Sequence, residues 1–123
     1  MKTKERILLG ALDLFNVDAA SEVTTNDIAR ALKMSPGNLY FHYKNKEQII
    51  RELFKRLALE TIQIWKPQTK LARKHEKIQL VDFIDKNLQL YWKYRFFHRE
   101  LYTLRKKDPE LSKIVPTVTV RCF

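Results

Sequence analysis

Apolar residues recur along this chain at intervals of three and four, the spacing that lines one face of an α-helix, and the predicted class is all-α. Ile7, Leu8, Ala11, Leu12 and Phe15 make the first such face and predict a helix from about Lys4 to Asn16. A loop follows from Val17 to Val23. Ile28, Ala29 and Leu32 mark a short second helix, and Leu39 anchors a third that runs to about Tyr43. Ile49, Ile50, Leu53, Leu57 and Ile64 form a longer stripe on a fourth helix, which Pro67 stops or just follows. After a polar, basic connection to about Lys74, the segment from His75 to Tyr94 carries Leu80, Phe83, Ile84, Leu88, Tyr91 and Trp92, a stripe broad enough to predict a buried helix. Phe96, Phe97, Leu101 and Leu104 continue the spacing after a kink. Asp108 and Pro109 open a final short helix through Leu111 and Ile114, closed by Pro116. The remaining residues alternate β-branched side chains and carry no helical stripe.

The boundaries between Thr24 and Lys46 are written in side-chain chemistry. Thr24 with Asp27 three residues on has the form of a capping box, in which the threonine oxygen takes an orphan amide and the carboxylate reaches back. Ser35 before Pro36 supplies a second start, since the hydroxyl caps free amides and the ring presets φ where no amide hydrogen is needed. Asn45 and Gln48 repeat the cap arrangement. Two short helices joined by a tight turn form a helix-turn-helix, and small residues at Ala29 and Ala31 are expected to let them cross closely. Pro36, Gly37, Asn38, Tyr40, Phe41 and His42 then face outward on a helix too short to be held by its own propensity. Polar and aromatic groups of that kind suit base edges and phosphates.

From Ile7 to Ile50 the chain resembles the amino-terminal DNA-binding domain of TetR-type transcriptional regulators. The resemblance is carried by Ile7, Ala11, Leu14 and Phe15, by Thr24 and Thr25, by Asp27 to Ala29, by Ser35, by the run Leu39 to Tyr43, and by Lys44 to Glu47. Two positions depart from the pattern. Many members carry glycine where this chain has Lys33, and another where it has Ala19 or Ala20. Glycine relieves strain at positive φ, so the turn is expected either to strain Lys33 or to take another geometry.

The resemblance implies that Thr25, Asn26, Tyr40 and Lys46 hold phosphates while Pro36, Gly37, Asn38, Phe41 and His42 face the major groove. Helix amino termini present free amides to phosphate, and asparagine can pair bidentately with adenine. Tyr43 reads instead as core, Phe41 either meets a thymine methyl or packs, and His42 is a phosphate donor or a packed ring. The resemblance also implies a small-molecule pocket among carboxy-terminal helices. Phe83, Tyr91, Trp92, Phe97 and Tyr102 are its candidate lining, although aromatic rings at helical spacing equally describe ordinary core.

Charge changes this picture only locally. Of the net +10, residues 1–62 hold ten Lys and Arg against eight Asp and Glu, while residues 63–123 hold fourteen against six. The surplus therefore lies mostly outside the helix-turn-helix and reads as solvated helix faces. Near the outward helix, Lys33, Lys44, Lys46, Arg51, Lys55 and Arg56 face only Glu47 and Glu52 in the sequence, which predicts a positive patch there. The first residues do not read as a secretory signal, no apolar run reaches the roughly 18 residues that span a bilayer, and Cys122 has no internal partner. A soluble cytoplasmic protein with no membrane contact is expected.

Enzymatic chemistry finds no foothold. His42, His75 and His98 make no metal-ligand spacing with one another or with Cys122, and there is no glycine-rich phosphate loop. No cofactor and no metal are expected. The predicted architecture is a three-helix helix-turn-helix head (residues 1–45), a connecting helix (46–66) and a partial helical regulatory region (67–123). The family's usual carboxy-terminal dimerisation helices have no counterpart here, so the chain reads as a shortened member or one whose end is altered. The expected function is that of a repressor binding double-stranded DNA as a homodimer on a palindrome and released by a small effector. Two alternatives stand beside it. One is a ligand-sensing or protein-interaction module with little operator binding, and the other is a basic protein meeting membranes or RNA through its carboxy-terminal half.

Overall fold

A computed structural model describes residues 2–71 and 76–122, with side chains described for residues 2–66 and 80–115. The described residues form seven helices and no strand: α1 (Thr3–Val17), α2 (Thr25–Ala31), α3 (Pro36–His42), α4 (Lys46–Leu71), α5 (Glu76–Lys93), α6 (Arg95–Lys107) and α7 (Pro109–Cys122). The caps act as their residue types dictate. Asp27 N–H donates to Thr24 Oγ1 at 3.1 Å while Thr24 N–H donates to Asp27 Oδ2 at 2.9 Å. Gln48 N–H donates to Asn45 Oδ1 at 2.9 Å, opening α4. Glu110 N–H donates to Asp108 Oδ1 at 3.2 Å, opening α7.

One core joins the two parts of the chain. Phe15, Ile28, Leu39, Ile49 and Leu53 fill the head, and Phe96, Phe97, Leu104 and Leu111 continue the same cluster into the body. Two ring pairs make the join: Phe15 with Phe96 at 5.1 Å between centroids, and Phe54 with Phe97 at 5.0 Å. Such pairs add roughly 0.5–1.5 kcal/mol each beyond the area they bury. Gly10 lies inside α1, where glycine costs helix propensity, but a Cβ there would come within 2.8 Å of Leu32 Cδ2. Its absence lets the second helix of the pair close onto the first.

Several expectations are corrected. Pro67 does not end α4, which continues to Leu71, and Pro116 does not close α7, which continues to Cys122. An interior proline removes one backbone bond, yet an established helix extends at one bond per residue without a new nucleation cost. The alternating β-branched residues after Pro116 lower helix propensity only modestly. Of the polar connection expected from Pro67 to Lys74, the part before 72 is helical, and residues 72–75 lie outside the described residues. Ala31 is exposed, so Ala29 alone supplies the close crossing.

The largest correction concerns α5, which is not buried. Leu80, Ile84, Leu88, Tyr91 and Trp92 are all exposed, whereas Leu90 and, just past the helix, Tyr94 are buried. A stripe records which side of a helix is apolar, and burial further requires a neighbour to cover it. Among the described residues α5 packs chiefly against α4, with a smaller contact to α6, and the side bearing this stripe is left open.

Candidate nucleic-acid interface

The turn before α3 is built from backbone bonds. Lys33 N–H donates to Arg30 O at 3.1 Å and Met34 N–H to Ala29 O at 3.0 Å, while Lys33 takes a φ of 57°. That is the left-handed region where glycine is usual, so the departure noted at this position is a lysine held at positive φ. Arg6, reaching across from α1, donates from its guanidinium to Leu32 O at 3.1 Å and closes an orphan carbonyl at the end of α2.

Ser35 caps α3, its Oγ accepting from Asn38 N–H at 3.1 Å. Leu39 is 2% exposed and ties the helix to the core. Everything else on α3 follows from that one anchor. Pro36, Gly37 and Asn38 are exposed, Tyr40 is 58% and Phe41 75% exposed, and His42 is half-buried with its ring edge-on to Phe41 at 5.2 Å. A Cβ built on Gly37 meets nothing within 4 Å, so the surface there is open. Thr25 is half-buried and Asn26 exposed in the first turn of α2. Tyr43 closes α3 from inside, 5% exposed, with the Lys4 ammonium 5.5 Å from its ring centre, and burial raises its phenol pKa.

Three cations of the predicted positive patch, Arg51, Lys55 and Arg56, pair with acids. Arg51 donates to Asp108 at 3.3 Å and to Glu110 at 2.7 Å, Arg56 pairs with Glu5, and Lys55 meets Glu52 at 3.5 Å. The Arg56 hydrogen bond holds the Glu5 carboxyl below the usual range. Glu5 comes from the distant α1, Asp108 from just before α7 and Glu110 from its first turn, and a tally of neighbouring sequence misses all three. The Lys46 ammonium is engaged as well, donating to Ala20 O at 2.6 Å and Val23 O at 3.0 Å. Lys44 remains exposed at the end of α3, with its ammonium 4.6 Å from the Tyr40 ring centre.

Sequence reasoning missed a second set of residues, which fixes the loop between α1 and α2. Asn16 Nδ2 donates to Lys93 O at 2.9 Å and its Oδ1 accepts from Phe96 N–H at 3.0 Å. Arg99 donates to Phe15 O at 3.0 Å, and Ala20 N–H donates to Glu100 Oε1 at 2.9 Å. The available signal was Asn16 itself, a polar residue that extends the apolar phase of Leu8 and Leu12.

An apolar cleft of about 630 Å³ opens between α4, α5 and α6, lined among others by Phe54, Leu57, Trp65, Phe83, Tyr91 and Phe97. Of the candidate pocket residues it gathers Phe83, Tyr91 and Phe97. Trp92 and Tyr102 lie off it on the outer surface, under Arg95 at 4.1 Å and Lys106 at 5.2 Å respectively. Among the described residues, no group of three His, Cys, Asp or Glu is placed to hold a metal ion. No described helix is long and apolar enough to cross a membrane.

The chain is similar to several known proteins. Residues 7–53 match the family model for bacterial regulatory proteins of the tetR family, and residues 54–123 match a model described as a bacterial transcriptional repressor. The HTH-type transcriptional regulator QacR of Staphylococcus aureus is 30% identical over 119 residues, covering 93% of this chain and 63% of that protein. A probable acrEF/envCD operon repressor of Escherichia coli is 33% identical over 54 residues, 44% of this chain and 24% of the relative. Among solved structures, a TetR-family transcriptional regulator from Marinobacter aquaeolei superposes with a TM-score of 0.87 at 35% identity, covering 99% of this chain and 59% of that one. The chain thus spans about three fifths of the length of QacR and of the Marinobacter protein.

Proposed function

Because this chain belongs to the TetR family of bacterial transcriptional regulators, we propose that it is a DNA-binding repressor whose reading element is α3. The observation that carries the reading is the capped, singly anchored α3 with its open outer surface. Tyr40 and Phe41 stand clear of the core, and Gly37 lets a partner approach the backbone. In this reading Pro36, Gly37, Asn38, Phe41 and His42 face the major groove, while Thr25, Asn26 and Tyr40 meet phosphates. For Lys46 the contact passes to its backbone N–H, first in α4, because the side chain holds the α1–α2 loop. Residues 1–45 act as the head, 46–66 as the connecting helix and 67–123 as the regulatory part. Two copies would place their α3 helices about 34–36 Å apart on a palindrome, with a small apolar effector in the cleft releasing the DNA.

Gel shifts with a duplex selected by the protein from a randomised pool test this reading. Asn38→Ala is expected to lower discrimination between the selected and a scrambled duplex by about 1–3 kcal/mol. Gly37→Ala should leave folding intact, as the added methyl meets no atom of the chain, yet weaken DNA binding by blocking close approach. Full DNA affinity in both variants would count against α3. The alternative of a ligand-sensing or interaction module draws on the uncovered apolar face of α5, and sedimentation distinguishes it: a chain that stays monomeric at working concentration cannot span two half-sites.

A further inference from the structure

We infer that Asn16 is the positioning residue through which the state of the α4–α5–α6 cleft sets the attitude of the head, an inference that rests on the DNA-binding reading above. The helical path is interrupted at Tyr94, where φ −113° and ψ 33° separate α5 from α6. A break orphans the last carbonyls of one helix and the first amides of the next. Asn16 takes one of each. Its amide nitrogen serves Lys93 O and its carbonyl serves Phe96 N–H, across 77 and 80 residues of sequence. Asn16 is itself only 8% exposed, so either bond left unmade strands a buried polar group.

The same break forms part of the cleft wall. Leu90 and Tyr91 before it and Phe97 and His98 after it all line the cavity. An occupant that moves α5 relative to α6 alters the separation of Lys93 O from Phe96 N–H, and one planar amide can bridge only a narrow range of separations. The movement therefore loosens the Asn16 bond to Phe96 N–H while drawing α1 with it through the bond to Lys93 O. On the far side Arg99 and Glu100 hold the α1–α2 loop against α6, so motion at the break is delivered to the base of the head.

The test uses the full chain, 1-anilinonaphthalene-8-sulfonate as the cleft probe and the selected duplex. In the native chain, saturating duplex should change the dye dissociation constant by about fivefold or more, as a coupling between sites requires. Asn16→Leu, which keeps the branched outline and heavy-atom count of the side chain but neither polar atom, should bring that change within about twofold while duplex binding itself survives. Asn16→Asp keeps the acceptor for Phe96 N–H and sets a carboxylate oxygen against Lys93 O, so it should lose coupling even if Asn16→Leu fails to fold. Independently of DNA, dye binding to the native chain should accelerate hydrogen exchange at the Phe96 amide. Unchanged coupling in a folded variant, or Phe96 exchange indifferent to dye, overturns the role of Asn16 and leaves the DNA reading standing. A native chain that binds no duplex overturns the DNA reading itself, before any variant is made.

Discussion

Two helices of this chain, α3 and α5, both present rings and apolar groups to solvent, and they do so for different reasons. On α3 the exposed residues sit around one buried leucine on a seven-residue helix fixed by a serine cap, with open space over Gly37. On α5 an eighteen-residue helix covers its neighbours with one side and leaves a broad stripe, Leu80, Ile84, Leu88 and Trp92, uncovered. Exposure alone therefore does not mark a reading surface. What distinguishes α3 is a mixture of small, polar and aromatic groups presented rigidly, whereas α5 offers continuous apolar area.

Truncating the two helices should separate them most sharply. Leu39→Ala removes the sole anchor of α3 and should cost about 2–5 kcal/mol, while Leu88→Ala on the open face of α5 should stay within about 0.5 kcal/mol. Urea unfolding of both variants measures the contrast, and equal costs would erase the distinction drawn here. Ser35→Ala should cost about 1 kcal/mol, because Asn38 N–H loses its cap while the core is untouched. The smallest effect concerns Asp27, whose carboxyl is held below its ordinary pKa first by the Thr24 backbone N–H and then by the Thr24 side chain, with desolvation opposing. A lowered folded pKa gives stability that is complete above the ordinary carboxylate range and lost as pH falls through the folded value. The stability gap between the native chain and Asp27→Asn, followed by urea midpoints, should accordingly narrow on acidification.

Much of the head was legible because its signals are local. The capping residues Thr24, Asp27, Ser35 and Asn45 act within three residues of themselves, and the outward set on α3 follows once Leu39 is known to point inward. The body was less legible because its outcome depends on distant partners. Neither the engagement of Arg51 by Asp108 and Glu110 nor that of Arg56 by Glu5 is visible in neighbouring sequence, so the positive patch was overestimated. The exposure of α5 depends on whether another element covers it, and periodicity carries no such information. Asn16 stood in plain view as a polar residue in an apolar phase, but its partners at the α5–α6 break could not be named without the fold.

The most direct test places a photoreactive side chain on each helix in turn, Phe41→benzoylphenylalanine on α3 and Trp92→benzoylphenylalanine on α5, and irradiates each protein bound to the selected duplex. Cross-links to bases from position 41 and none from position 92 are the predicted result. Cross-links from position 92 alone, with position 41 silent in a complex that still forms, would contradict the assignment of α3 as the reading helix.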